Sequence, residues 1–180
     1  MSIKSLDSEY IAGTYNRFPV EIVSGKGAVF TDSSGKEYID MGSGIGVNIF
    51  GASDTEWENA VISQLGKVQH TSNLYYTEPC VKLAELLCEK TGMSKVFFSN
   101  SGAEANECAI KAARKYAVEK KGDDCYTVVT MKNSFHGRTL TTLSATGQDH
   151  YHVLYNPLTP GFVSVTAEKP EELVDLSKET

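Results

Sequence analysis

The spacing of apolar side chains along this chain switches between helical and extended periods, and the switches mark out its elements. Residues 28–41, Ala-Val-Phe-Thr-Asp-Ser-Ser-Gly-Lys-Glu-Tyr-Ile-Asp-Met, predict a hairpin. Two short β-prone runs flank Asp32-Ser33-Ser34-Gly35, and Gly35 can take the positive φ that such a turn often demands. The run Gly42-Ser43-Gly44-Ile45-Gly46 lacks GxGxxG spacing and a helix directly behind it, so it is read as a turn packed against something, not a dinucleotide loop. From Asp54 the period is helical: Trp57, Val61, Ile62, Leu65 and Val68 recur behind Asp54 or Thr55 as N-cap. A second helix fits 77–91, opened by Thr77, Glu78 and Pro79, with Val81, Leu83, Leu86 and Leu87 as apolar positions and Gly92 past its end.

The stretch that follows reads as strand, glycine turn, helix, strand. Lys95–Asn100 predicts a strand, Ser101-Gly102 a sharp turn, and 103–121 a helix whose Ala105, Ala109, Ala112, Ala113 and Ala117 would let it approach a sheet closely. Tyr126–Met131 predicts the next strand, Gly161–Val165 a third, and Pro170–Leu176 the start of another helix. A βαβ order implies a parallel sheet and an α/β fold. Residues 1–70 lack this alternation and are expected to form a smaller, separate layer, with 71–180 the first part of a larger sheet domain. Three sheet strands are few for a doubly wound domain, so the C-terminus is expected to be a cut.

Composition narrows the function classes. At 41% hydrophobic and 22% charged the chain is of globular type, and a net charge of −6 with scattered Lys and Arg argues against nucleic acid or a membrane surface as partner. Cys80, Cys88, Cys108 and Cys125 form no CxxC pair and are read as reduced thiols. The polar N-terminus shows no signal peptide, and no apolar run approaches the ~20 residues that span a bilayer, so a cytoplasmic location is expected.

Chemistry concentrates at two places. Asn100-Ser-Gly-Ala-Glu-Ala-Asn-Glu107 sits where a strand hands over to a helix. Free N–H groups and the helix dipole favour an anion there, and Gly102 removes the Cβ that would keep one away. The same residues also suit an ordinary N-cap by Ser101 or Asn100 with Glu104 in the first turn. Ser134-Phe-His-Gly-Arg-Thr139 follows the second strand and is expected in the same crevice, because segments past the C-terminal ends of parallel strands gather there. It offers an aromatic face in Phe135, a polar ring in His136 and a carboxylate-binding fork in Arg138; taken singly, each also fits a core or solvated role. His150-x-His152 could place two rings on one strand face, but no Cys or acidic ligand has matching spacing, and no metal is expected.

In order along the chain, 14–20 (Thr-Tyr-Asn-Arg-Phe-Pro-Val), 25–27 (Gly-Lys-Gly), 35–40 (Gly-Lys-Glu-Tyr-Ile-Asp), 44–47 (Gly-Ile-Gly-Val), 98–107 and 134–139 resemble the class III (subgroup II) pyridoxal-phosphate (PLP)-dependent aminotransferases, nearest their acetylornithine branch. The resemblance runs from about Tyr10 to Phe162. It implies part of a fold-type I PLP-transferase: an N-terminal small-domain segment, then the first βαβ part of the large domain. The implied reaction moves the terminal amino group of N2-acetyl-L-ornithine to 2-oxoglutarate in arginine biosynthesis. Ornithine, succinylornithine or 4-aminobutyrate are the alternative donors. The implied roles are PLP phosphate binding by the Gly102 and Ala103 amides, ring stacking by Phe135, carboxylate binding by Arg138, and a share of the substrate site for Tyr15. The family is dimeric, which implies a homodimer for the full-length protein with Asn73–Thr77 near its interface.

The resemblance also shows what is missing. The family's Schiff-base lysine is expected beyond residue 180, so no catalytic residue is assigned and the isolated chain is expected to be inactive, or to be no more than a PLP- or phosphate-binding fragment. Gly51-Ala-Ser-Asp-Thr-Glu-Trp57 departs from a Gly-His-x-His-Pro run of many relatives. Ala103 stands where many acetylornithine enzymes have Thr, which forgoes a hydroxyl contact of about 1 kcal/mol.

Overall fold

The computed structural model describes residues 2–166, 168 and 169, which fall into two compact units, Met1–Glu78 and Pro79–Thr180. In the first, helix α1 (Ile3–Tyr10) precedes an antiparallel sheet in the order β1 (Ile22–Lys26), β2 (Val29–Asp32), β3 (Glu37–Ile39). β2 and β3 are the hairpin expected over 28–41. β1 escapes the sequence pattern because its register slips between Ile22 and Ser24, which breaks the alternation that marks a strand. Helix α3 (Thr55–Leu65) begins as expected, with the Asp54 carboxylate accepting from Trp57 N at 2.8 Å.

The β2–β3 turn is organised by one carboxylate. Asp32 Oδ1 accepts from Ser34 N (2.8 Å), Ser34 Oγ (2.6 Å) and Lys36 N (3.0 Å), while Oδ2 accepts from the Tyr38 hydroxyl (2.9 Å). Gly35 takes the expected positive φ, +84°. The Ser34 hydroxyl does most to hold the Asp32 carboxyl down, from 3.8 to about 2; desolvation opposes it, and Tyr38 and the two N–H groups reinforce it. The glycine run after β3 differs from expectation. α2 (Ser43–Gly46) is a single turn with left-handed φ at Ser43, Gly44, Ile45 and Gly46, and Ile45 is fully exposed within this unit. It closes on Asp40, whose carboxylate accepts from Gly42 N and Ser43 N, so a local polar bond shapes it where packing was expected.

In the second unit, α4 (Glu78–Thr91) is the helix expected over 77–91, and Gly92 N returns to Cys88 O at 2.9 Å. Lys95–Asn100, expected as a strand, has no ladder partner among the described residues. A strand is defined by a neighbour, and β-prone composition cannot supply one. α5 (Gly102–Lys121) leads to β4 (Val128–Met131), then to α6 (Leu140–Ala145), a 3-10 turn at Asp149–Tyr151 and β5 (Phe162–Val165). β4 and β5 pair in parallel, Val128 with Phe162 through Met131 with Val165, as the βαβ reading requires. His150 lies in the 3-10 turn and His152 follows it, so the two do not share a strand face. The helix expected over Pro170–Leu176 lies outside the described residues.

The core of this unit is formed by Ile110 of α5, Leu143 and Ala145 of α6 and Val165 of β5, with Thr142 and Thr146 fully enclosed. Of the alanines of α5, Ala105, Ala109, Ala112 and Ala113 are exposed and Ala117 is half-buried, and Ala109 lines the cavity against β4. The less exposed positions are Ala103, Asn106, Glu107, Cys108, Ile110, Arg114 and Ala117, and all but Cys108 form a stripe of helical period that carries polar side chains into the packing. Arg114 ends it as a clamp. Its guanidinium donates to Tyr126 O (3.1 Å) and Pro160 O (2.7 Å), the lead-ins to β4 and β5, and lies 5.0 Å from the Phe162 ring centroid. No described helix is long and apolar enough to cross a membrane, and no described group of three or more His, Cys, Asp or Glu could hold a metal ion.

Two outcomes follow from these bonds. Arg114→Ala should cost the β4–β5 pair about 2 kcal/mol, read as roughly thirtyfold faster hydrogen exchange at the Val128 and Lys132 amides, and Arg114→Lys should recover little because it lacks the fork. Since the Asp32 pKa is lowered in the folded state, its contribution is present above about pH 4 and is lost as pH falls through about 2. The Ser34 and Lys36 amide resonances should therefore titrate near pH 2, and Asp32→Asn should abolish that titration.

Candidate functional site

The site grows from the N-terminus of α5. Ser101 caps it, its hydroxyl accepting from Glu104 N at 3.2 Å, and the Glu104 carboxylate accepts from Asn100 N at 2.6 Å. The N-cap reading of this segment is therefore correct. It does not exclude the anion reading, because the cap satisfies Glu104 N and leaves Gly102 N and Ala103 N without a hydrogen bond among the described residues. A Cβ on Gly102 would meet nothing within 4 Å, so the space beside these two N–H groups is open.

The loop after β4 lies against this helix start. Gly137 is buried with φ +140°, and a Cβ there would stand 2.7 Å from Ala103 Cβ and 2.5 Å from Thr142 Oγ1. Only a residue without a side chain lets the two backbones approach this closely. Polar bonds fix the crossing. Asn106 Nδ2 donates to His136 O (2.7 Å), and Thr139 Oγ1 donates to the Glu107 carboxylate (2.5 Å). With its single proton committed there, Thr139 Oγ1 accepts from Thr142 N (3.3 Å) and the Thr142 hydroxyl (2.7 Å), capping α6. On the far side His136 N donates to Thr146 Oγ1 (3.1 Å) and Gly147 N to Ser134 Oγ (3.3 Å). His136 Nε2 is buried without a partner among the described residues, beside a cavity of about 260 Å³ between α5 and β4.

Phe135 and Arg138 emerge from this loop. Phe135 is 57% exposed, and the Arg138 guanidinium lies 4.8 Å from its ring centroid. A second ring beside the guanidinium is one that sequence reasoning missed, Tyr151, whose centroid lies 3.9 Å away. No hydrogen bond or ion pair engages Arg138 among the described residues. Gly102, Ala103, Phe135 and Arg138 thus belong to one assembly in the second unit. Tyr15 belongs to the first unit, where it is 78% exposed and lines a groove against α1 beside Arg17, which pairs with Asp7 at 2.9 Å. Asn106, Glu107 and Thr139 were also missed as supports. Their signal was present in part, since Asn106 and Glu107 fall on the helical stripe that holds Ala103 and Ile110.

Known proteins share this fold and much of this sequence. The acetylornithine aminotransferase of Haemophilus ducreyi is 52% identical over 165 residues, 92% of this chain and 42% of that protein. The one from Methanocaldococcus jannaschii is 46% identical over 93% of this chain and 42% of its own length. The chain therefore spans less than half of these relatives. Among solved structures, the ornithine aminotransferase of Toxoplasma gondii ME49 superposes with a TM-score of 0.91 at 29% identity, covering 98% of this chain and 42% of that one. A second structure of that enzyme is described as having partial occupancy of PLP at its active site. A Bacillus anthracis aminotransferase superposes at 0.84 with 31% identity, over all of this chain and 42% of its own. Those folds bear out the expected fold-type I class. The description "Aminotransferase class-III" fits residues 10–179, and with these identities the chain belongs to that family.

Proposed function

We propose that the protein of which this chain is part transfers the terminal amino group of N2-acetyl-L-ornithine to 2-oxoglutarate with PLP as cofactor, acting in the cytoplasm as a homodimer. The observation that carries this reading is the juxtaposition of two unclaimed donor sets. Gly102 N and Ala103 N stand free at a helix start, and the loop bearing the free Arg138 fork is pressed onto that start through Gly137. The acetylornithine donor is favoured by the named relatives at 46% and 52% identity. The exposed apolar run Leu74, Tyr75 and Tyr76 supports an interface at 73–77.

The residues fit the cofactor. Two adjacent N–H groups at a helix N-terminus suit a phosphate dianion, and the open space beside Gly102 admits one. Phe135, more than half exposed, offers a ring face to the pyridine. When bound, PLP supplies an electron sink for the pair released as the substrate C–H bond breaks. This chain's own residues orient and bind. The Arg138 fork takes a carboxylate of the acetylated amino acid in one half-reaction and of 2-oxoglutarate in the other, since both acids present the same planar group. Tyr15 contributes to the substrate site of the complete protein. None of the chain's lysines lies in the motif that carries the family's reactive lysine, so the isolated 180-residue chain binds without turning over.

Gly102→Val should leave the helix content unchanged, because its side chain meets open space, and should weaken PLP binding at least about tenfold while leaving binding of unphosphorylated pyridoxal unaltered. Equal PLP affinity in the two chains would remove the phosphate assignment. An amino-transfer assay on the isolated chain with PLP, acetylornithine and 2-oxoglutarate should show no product above the PLP-only background. In the full-length protein, kcat/KM should favour acetylornithine over ornithine, succinylornithine and 4-aminobutyrate.

A further inference from the structure

We infer that Tyr151 is a positioning residue for Arg138: its ring holds the guanidinium by face stacking, so that the fork is set before a carboxylate arrives. This rests on the reading of Arg138 as the carboxylate binder. Arg138 is exposed, and no hydrogen bond or ion pair among the described residues orients it. A free arginine of this kind would sample many rotamers, and a ligand would have to order it. Instead the guanidinium carbon lies 3.9 Å from the Tyr151 centroid and 4.8 Å from that of Phe135, both well inside cation–π range. A ring stacked on a guanidinium leaves the in-plane N–H edge for a carboxylate to approach.

The two rings are not equivalent. In the proposed function Phe135 also serves the cofactor, which leaves Tyr151 as the ring dedicated to Arg138. Tyr151 is half-buried and firmly placed. Tyr151 N donates to Gln148 O at 3.0 Å, and Gln148 Nε2 donates to Ser134 O at 3.1 Å, next to Phe135. A His152 ring nitrogen lies 2.9 Å from Leu143 O, which ties the other end of the turn to α6. The turn that carries Tyr151 and the loop that carries Arg138 are thereby fastened to each other, and the stack lies between them.

The test uses the full 180-residue chain with 15N-labelled arginine, titrated with 2-oxoglutarate. Affinity is read from the backbone amides of 135–139, and stacking from the ring-current shift of the Arg138 Hε proton. Tyr151→Leu should lose the ring-current shift and bind 2-oxoglutarate about tenfold more weakly, whereas Tyr151→Phe should keep both. Tyr151→Gln is a second non-aromatic replacement should leucine disturb the turn, with the β4–β5 amide spectrum reporting the fold. Parent-like affinity in both non-aromatic variants, alongside at least about tenfold weaker binding in Arg138→Lys, overturns the positioning role and leaves the carboxylate role standing. Parent-like affinity in Arg138→Lys, or no response of the parent amides to 2-oxoglutarate, overturns the carboxylate role and the positioning role with it.

Discussion

The candidate site depends on one close approach, that of Gly137 to the first turn of α5. With a Cβ 2.7 Å from Ala103 and 2.5 Å from Thr142 Oγ1, any other residue at 137 would lift the loop from the helix and from α6 at once. Removing the side chain is only half of the device, since a glycine loop left to itself would be loose. The other half is the pair of polar contacts on either side, Asn106 to His136 O and Thr139 to Glu107, which fix the segment where the missing side chain lets it lie. Phe135 and Arg138 flank this crossing, so their placement is inherited from backbone geometry.

That arrangement brings together two blocks about thirty residues apart in the sequence. The first half of the SGAEANE block exposes amides, and its second half supplies the side chains that hold the FHGRT block in place. α6 serves the same end. Its cap, Thr139, is the residue that binds Glu107, and Thr146 at its other end accepts from His136 N. The loop is pinned at both ends of one short helix.

Elements governed by local rules were legible in the sequence. The β2–β3 hairpin follows from a turn whose aspartate, serine and glycine make their bonds within a few residues, and α3 from an aspartate cap. Elements that need a distant partner were not. Lys95–Asn100 has strand composition without a pairing neighbour among the described residues, and the side chains of α5 that bond across the unit are Asn106, Glu107 and Arg114. At the candidate site, the placement of Phe135 and Arg138 beside the start of α5 was legible, because segments past the ends of parallel strands gather together. The Tyr151 contact was not, since its ring meets Arg138 across α6, which separates the two in sequence.

Ala103 ties these levels together. Read by sequence, it forgoes a hydroxyl that many relatives place beside the phosphate. In the fold its Cβ is what a side chain at 137 would strike, so position 103 serves the loop crossing as well as the proposed anion site. These demands use different atoms. The backbone N–H is left without a hydrogen bond among the described residues whatever the side chain, and the methyl group packs against Gly137. A β-branched residue with a hydroxyl could add about 1 kcal/mol to anion binding only if its second branch also cleared Gly137. The proposed anion site and the proposed carboxylate fork are therefore coupled through the size of one side chain, and alanine is the smallest residue that keeps the contact without pressing on it.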